Sequence, residues 1–150
     1  ERLAAVLQTQ SLELVLCHSD AHAGNLFIDA TSDALYLVDW DNPILAPVER
    51  DLMFVGGGQG GGWHTPEEEE RLFYQGYGQI EVNPVALAYY LYERIIQDIS
   101  AYSEQLLLTA EGGADRAVAL KYLTGNFLSG STLEIAFRSE RHLPQELRLR

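Results

Sequence analysis

Three short apolar stretches near the start of the chain, separated by polar residues, restrict the folds open to this sequence. Leu12–Cys17 is predicted as a short strand from its alternation and β-branched content. Leu26–Asp29 and Leu35–Val38 are apolar runs of strand length with turn-forming residues between them, which favours a hairpin. Strands that run out and back place Asn25, before the first, and Asp39, after the second, at one end of the pair.

Helical signals follow this region. Val48–Val55 is predicted as a short helix. Thr65, Pro66 and Glu68 have the spacing of a capping box with proline at the first helical position, so a helix is predicted from Pro66 to about Gly76. The glycines of Gly56–Gly62 lack the Lys-Ser/Thr ending of a P-loop and are interpreted as a flexible connection.

From Pro84 the apolar residues repeat at steps of three and four, which predicts a long helix with one apolar face. A further helix is expected from about Ala114 through Ile135, although Gly125 and Gly130 weaken its continuity. A loose tail or a brief helix is expected from His142. The predicted fold class is therefore α+β and mostly helical, with short strands near the start.

Composition and charge narrow the classes of partner. The 150 residues are of single-domain size, and no apolar stretch approaches the roughly 20 residues that span a bilayer. A formal net charge of −12 argues against nucleic acid, whose binders need basic surfaces, and favours a cationic small molecule.

No secretory signal is visible, so a cytoplasmic location is expected. The lone Cys17 lies in a predicted strand and is interpreted as a buried, unreactive thiol.

The polar loop between the first two strands carries the residue types of phosphoryl transfer. That chemistry needs a carboxylate to orient or deprotonate the attacking hydroxyl, together with oxygen ligands for Mg²⁺. Asp20 fits the first role, and Asn25 and Asp39 fit the second. Asp20 and Asn25 can also be read as turn residues that bond to their own backbone. Separately, His18, Asp20 and His22 can be read as a transition-metal cluster in a hydrolase.

Three motifs carry a resemblance to a known family. His18-Ser-Asp-Ala-His-Ala-Gly-Asn25 resembles the catalytic loop of the aminoglycoside phosphotransferase and choline kinase-like family. Val38-Asp-Trp40 is similar to its metal-binding segment, and Arg50-Asp-Leu52 to the Asp-Leu that follows. Within the family, Val38–Phe54 with the glycines behind it is most similar to members that phosphorylate spectinomycin. The resemblance implies the C-terminal lobe of a protein-kinase-like fold that transfers the ATP γ-phosphate to a hydroxyl of an aminocyclitol or aminoglycoside antibiotic.

The resemblance also implies roles for individual residues. Asp20 is expected as the catalytic residue, with Asn25 and Asp39 as ligands of Mg²⁺ beside bound ATP. The histidines and the aspartate of the third motif are expected to support the loop. These supporting residues are His18, His22 and Asp51. Acid–base catalysis by His18 and an approach of His22 to the phosphates are the alternatives that stay open.

A full member of the family also has an amino-terminal lobe whose strand lysine pairs with the nucleotide phosphates. The only lysine here is Lys121, in a late helical segment. Residues 1–150 are therefore expected to form the catalytic-loop and substrate-binding lobe alone. The N-terminal nucleotide-binding lobe is expected to be missing from the chain, and the isolated fragment is expected to have little or no activity.

An antibiotic that bears ammonium groups calls for carboxylates and aromatic faces around the site. The candidates for substrate binding are Asp41, Tyr90, Glu93 and Asp98. Tyrosines at helical spacing are also common as core residues, and Arg94 with Asp98 can be a simple i,i+4 pair on the surface. A different class of function also stays open at this point, a non-catalytic kinase-like lobe that binds a ligand or partner.

Overall fold

The computed structural model describes residues 1–56, 64–108, 112–128 and 130–149. The chain divides into two compact units, Glu1–Leu87 and Ala88–Arg150. All of the strands lie in the first unit, between a short first helix and later helices, and helices form the second unit, in agreement with the α+β prediction. The elements in chain order are α1 (Arg2–Leu7), β1 (Val15–Cys17), β2 (Leu26–Ile28), β3 (Leu35–Leu37), β4 (Ile44–Ala46), α2 (Glu49–Leu52), α3 (Pro66–Tyr77), α4 (Pro84–Leu107), α5 (Gly113–Gly125) and α6 (Thr132–Ser139).

Two antiparallel ribbons frame the polar loop of the first unit. β2 pairs with β3 in the register Leu26↔Leu37 and Ile28↔Leu35, which confirms the predicted hairpin. β1 pairs with β4, a partner 27 positions or more along the chain that the sequence pattern did not indicate. The strand predicted over Leu12–Cys17 is shorter than expected, because β4 offers only three residues for it to pair with.

Helix α3 begins as the capping box predicts. The Thr65 side chain accepts from the Glu68 backbone N–H at 3.2 Å, and the Glu68 carboxylate accepts from the Thr65 N–H at 3.0 Å. These reciprocal bonds satisfy two donors that a helix start leaves without intrahelical partners. The bond from the Thr65 backbone also lowers the pKa of Glu68. The glycine run just before this helix lies, apart from Gly56, outside the described residues.

Helix α4 confirms the predicted long amphipathic helix. The Asn83 side chain caps it by accepting from the backbone N–H groups of Val85 and Ala86. Leu91 and Ile95, on its apolar stripe, are buried. None of the helices in the described ranges is long and apolar enough to cross a membrane.

The single helix expected from Ala114 through Ile135 is wrong, because two helices occupy this stretch. α5 ends at Gly125, and α6 begins only at Thr132. Between them Gly130 has φ +74°, a left-handed conformation that cannot continue a right-handed helix. Beyond α6 the chain forms 3₁₀ turns at Glu140–His142 and Gln145–Leu147, in line with the short helical tail expected there.

The tail is fixed within the second unit. Tyr92 donates a hydrogen bond to the Glu140 carboxylate, which also accepts from the Leu149 backbone N–H at 3.0 Å. Burial, followed by this hydrogen bond, raises the pKa of Tyr92. Leu143 between these contacts is fully buried. A buried leucine and a shared carboxylate therefore hold the end of the chain against α4.

Candidate active site

The polar loop after β1 is held by one carboxylate from α2. Asp51 accepts hydrogen bonds from the backbone N–H groups of His18 and Ser19, each at 2.7 Å, one to each carboxylate oxygen. Both donors belong to buried residues. Because such bonds to an ionised acceptor are short and strong, Asp51 ties the start of the loop to a helix more than 30 positions along the chain.

His18 braces the loop from inside. Its side chain is buried, and its Nε2 lies 2.8 Å from the Val38 carbonyl oxygen. Its Nδ1 accepts from the Asp20 N–H at 3.3 Å, so the proton of the neutral ring sits on Nε2 and is donated to Val38. The Trp40 indole packs edge-on against this ring with centroids 4.5 Å apart, and it remains nearly half exposed. His18 thus connects the loop before Asp20 to the end of β3.

Two residues of this region adopt a left-handed backbone conformation that the sequence analysis did not predict. Ser19 has φ +68° and Asp39 has φ +67°. A left-handed conformation is uncommon for serine, whereas aspartate tolerates it better, and such conformations cluster at functional sites. The Ser19 hydroxyl donates to the Asn42 carbonyl at 2.7 Å, which connects the loop to the segment after Asp39. Sequence reasoning missed Ser19 because serine carries no signal for this conformation.

Asp20 and Asn25 are held together by the Asn25 amide. Its Nδ2 donates to the Asp20 backbone carbonyl at 2.9 Å and reaches the Asp20 Oδ2 at 3.4 Å. Asn25 is buried, whereas the Asp20 side chain keeps 36% of its surface exposed. Both of these contacts use Nδ2 of Asn25, and neither uses its amide oxygen.

The β2–β3 hairpin places Asp39 at the same end as Asn25. The Val38 N–H donates to the Asn25 carbonyl at 3.0 Å. Asp39, the next residue along the chain, therefore lies beside the hydrogen-bonded residues Val38 and Asn25. The Asp39 side chain is exposed, and no hydrogen bond or ion pair within the described ranges engages its carboxylate. An amide oxygen and a carboxylate are hard oxygen donors of the kind Mg²⁺ prefers. The residues present therefore fit a magnesium ion.

The His22 side chain hydrogen-bonds to the backbone of the loop at Gly24. Its Nδ1 accepts from the Gly24 N–H at 2.9 Å, which leaves Nε2 protonated and 3.6 Å from the Asp20 Oδ2. The ring also lies edge-on to Phe54, with centroids 6.1 Å apart. A Cβ on Gly24 would lie 2.6 Å from the imidazole Cε1, so glycine is what allows this close approach.

The hydrolase alternative finds no support in this geometry. Both ring nitrogens of His18 are engaged by backbone groups, one in the loop and one at Val38, the residue after β3. Among the residues that the structure describes, no group of three His, Cys, Asp or Glu side chains could hold a metal ion. His18, Asp20 and His22 are therefore not arranged as a transition-metal site.

Cys17, just before the loop, is buried, in agreement with its interpretation as an unreactive thiol. Burial, followed by the negative charge of Asp51, raises the pKa of this thiol to about 11. Very little thiolate exists at neutral pH, and the thiolate is the reactive form.

The substrate candidates lie in different units. Asp41 is exposed in the loop after β3, in the first unit. The other three lie on α4 in the second unit. There Glu93 accepts from the Tyr89 hydroxyl at 3.0 Å, Asp98 pairs with Arg94 at 3.0 Å, and the ring of Tyr90 lies edge-on to Tyr89. A role for these four residues in substrate binding stays a prediction.

Comparison with known proteins finds one matching family model and two similar solved structures. The family model described as phosphotransferase enzyme family matches residues 1–90. Two solved structures of spectinomycin phosphotransferase, APH(9)-Ia, are 42% identical to this chain. The complex with ADP and spectinomycin superposes with a TM-score of 0.80 and the AMP-bound complex with 0.77.

Each superposition covers 93% of this chain and 42% of that chain, so this chain spans less than half the length of its structural relative. No curated protein matches the chain significantly. The match to this kinase-like enzyme confirms the predicted fold class. The family model covers more than half of the sequence and includes every residue of the loop, so the chain belongs to the phosphotransferase enzyme family.

Proposed function

We propose that this chain supplies the catalytic base and the metal ligands of an ATP-dependent enzyme that phosphorylates a hydroxyl of an aminocyclitol or aminoglycoside antibiotic such as spectinomycin. One observation carries the proposal. The Asn25 side chain holds Asp20 at the end of a hairpin, and Asp39 lies at the same end. Asp51 holds the start of the loop by accepting a hydrogen bond from its backbone. Similarity to an enzyme solved with ADP and spectinomycin supports the choice of donor and acceptor.

The loop would perform the proton transfer. Asp20, partly exposed and held by its backbone, would orient the attacking hydroxyl and accept its proton as the new P–O bond forms and the bond to the ADP leaving group breaks. The Asn25 amide oxygen and the Asp39 carboxylate would hold Mg²⁺, which when bound offsets the negative charge of the phosphates. His18, His22 and Asp51 would keep these groups in register and take no part in bond making.

The acidic chain suits a cationic acceptor. A formal net charge of −12 attracts a substrate that carries ammonium groups and speeds its encounter with the protein. Asp41, Tyr90, Glu93 and Asp98 remain the proposed contacts for such a substrate. The electric field of the whole protein affects the rate at which a cationic substrate associates with it. A direct assay must therefore identify the acceptor.

The chain is proposed to act as the C-terminal lobe, residues 1–150, of a larger assembly. Its structural relative has more than half of its length outside the matched region. The one lysine, Lys121, lies in α5 of the second unit, far along the chain from the loop. We therefore expect the nucleotide-binding lobe to come from polypeptide outside this chain, and the isolated chain to be inactive.

A chimera tests this function. The chain replaces its matched segment in spectinomycin phosphotransferase, and ATP-dependent phosphorylation of spectinomycin is followed by mass spectrometry. Asp20→Asn in the chimera should lower kcat by about 10²- to 10⁴-fold, the usual contribution of a positioned base, with unchanged circular dichroism and thermal midpoint. Asp33→Asn, in the exposed turn between β2 and β3, is the matched control and should retain full activity.

A folded chimera that transfers no phosphate to any aminocyclitol or aminoglycoside would exclude the proposed reaction. If such a protein still bound Mg²⁺ and nucleotide, the chain would be a non-catalytic binding lobe. Full activity of the Asp20→Asn variant would exclude the role assigned to Asp20.

A further inference from the structure

Ser19 continues the pairing of β1 with β4 through its side chain instead of its backbone. The register of the pair sets Cys17 opposite Ile44, and the same register, continued two residues past Cys17, sets Ser19 opposite Asn42. The Ser19 N–H donates to the Asp51 carboxylate at 2.7 Å. The Ser19 hydroxyl therefore makes the bond between the two segments, and it donates to the Asn42 carbonyl at 2.7 Å.

The left-handed backbone of Ser19 allows both of these bonds. With φ +68°, Ser19 departs from the extended conformation of the strand that precedes it. Successive backbone N–H groups in a turn with a left-handed residue can converge on one anion, and those of His18 and Ser19 converge on Asp51. A glycine would adopt this backbone more readily, so the hydroxyl is the feature that serine adds at this position.

Side chains of the loop hold both ends of the segment 39–42. Within the described ranges, none of these four residues takes part in a backbone–backbone hydrogen bond. The His18 ring donates to the Val38 carbonyl, just before the segment, at 2.8 Å. The hydroxyl of the next residue, Ser19, donates to the Asn42 carbonyl at the end of the segment. Two adjacent side chains thus fix the segment that carries a proposed metal ligand.

We propose that Ser19 is a positioning residue for this metal ligand, acting through the bond from its hydroxyl to Asn42. Asp39 lies three residues before Asn42, and no hydrogen bond or ion pair within the described ranges fixes its exposed carboxylate. The Ser19–Asn42 bond limits the movement of the backbone that carries Asp39 and so keeps this residue beside Asn25. The Asn25 amide holds Asp20 separately, so loss of the hydroxyl should affect the metal ligand more than the base. The inference rests on the proposed function.

Nitrogen-15 NMR relaxation of the isolated chain tests this bond without relying on activity. Ser19→Ala and Ser19→Gly both remove the hydroxyl, but only glycine also relieves the left-handed backbone. We expect both variants to lower the backbone order parameters of residues 40–42 below about 0.6, the range of flexible backbone. The urea midpoint of Ser19→Ala should lie about 0.5 M or more below that of Ser19→Gly, because alanine keeps the backbone strain.

The matched control is Ser139→Ala, which removes a hydroxyl that donates to the Ala136 carbonyl at the same distance of 2.7 Å. Ser139 lies in the second unit, at the end of α6. This variant should leave the order parameters of residues 40–42 and the binding of metal unchanged.

Binding of Mn²⁺, a spectroscopic probe for the Mg²⁺ site, connects the hydroxyl to the metal ligands. The three variants are made in the chimera, and Mn²⁺ is titrated in the presence of ADP and followed by electron paramagnetic resonance. Residues that orient metal ligands typically change metal affinity by about 10- to 100-fold when they are substituted. We expect Ser19→Ala and Ser19→Gly each to weaken Mn²⁺ binding by about 10-fold. The Mg²⁺ concentration for half-maximal activity should rise by the same factor, while kcat at saturating Mg²⁺ should fall by less than about 3-fold.

Ser19→Gly decides between the hydroxyl and the backbone. If this variant kept the Mn²⁺ affinity and the order parameters of the unsubstituted protein, the proposal would be overturned, because the position would then supply only a backbone conformation. A folded chimera that binds no Mn²⁺ would also overturn it, since the segment 39–42 would then carry no metal ligand.

The outcomes separate this proposal from the proposed function. A chimera that transfers no phosphate, but in which both Ser19 variants weaken Mn²⁺ binding, retains the positioning role and removes the reaction. An active chimera whose Ser19 variants bind Mn²⁺ as tightly as the unsubstituted protein does the reverse.

Discussion

Replacing Asp51 by asparagine should loosen the loop that carries the proposed base. Asp51 accepts two backbone hydrogen bonds of 2.7 Å from buried donors. Asparagine keeps one acceptor oxygen and turns an N–H₂ group toward the other donor. A hydrogen bond to a charged acceptor contributes about 1.5–3 kcal/mol, and an unsatisfied buried donor adds a penalty of similar size. We expect Asp51→Asn to lower the free energy of unfolding of the first unit by about 2–4 kcal/mol.

Urea denaturation followed by tryptophan fluorescence measures this loss. Trp40 packs edge-on against the His18 ring, so its fluorescence reports on the loop that Asp51 holds in the first unit. With a typical m value of about 1–3 kcal/mol/M, the midpoint should fall by about 1 M or more.

The matched control is Asp33→Asn, which makes the same chemical change at an exposed turn residue. Asp33 has φ +54°, a conformation that asparagine also tolerates, so its midpoint should not move. If Asp51→Asn shifted the midpoint no more than Asp33→Asn, Asp51 would not be holding the loop. In the chimera, Asp51→Asn should also lower kcat, because the position of Asp20 depends on this anchor.

Two further perturbations test the local geometry. Gly24→Ala should destabilise the first unit by about 1–3 kcal/mol in the same assay, because its Cβ would overlap the His22 ring at 2.6 Å. Gly76 lies inside α3 with open space around the position of a Cβ, so Gly76→Ala should instead stabilise the first unit by up to about 1 kcal/mol. Equal effects of the two substitutions on the free energy of unfolding would refute the predicted clash at Gly24. Hydrogen bonds from the Thr31 backbone N–H and hydroxyl lower the pKa of Asp29 to about 2. The ionised Asp29 carboxylate should therefore stabilise the β2–β3 turn above about pH 4, and this stabilisation should be lost as the pH falls through about 2. An NMR titration midpoint near 4 for Asp29 would show that the hydrogen bonds from Thr31 are absent.

The local sequence was sufficient where a few neighbouring residues decide the structure. The capping box of α3, the repeat along α4 and the β2–β3 hairpin follow from side chains within one element or one turn. The same locality explains why the polar residues of the loop could be picked out before their geometry was known. The helix expected through Ile135 instead ends at Gly125, and the break before α6 contains Gly130 in a left-handed conformation.

Contacts between distant parts of the chain were decided by the tertiary structure alone. Three features each join residues that lie 20 or more positions apart. They are the pairing of β1 with β4, the two hydrogen bonds that Asp51 accepts, and the bond from the Ser19 hydroxyl to the Asn42 carbonyl. Periodicity and spacing describe the secondary structure that one segment prefers. They do not identify the distant segment that accepts hydrogen bonds from its backbone N–H groups. The sequence alone thus determined which polar residues the loop carries, while the fold decided how those residues are held in place.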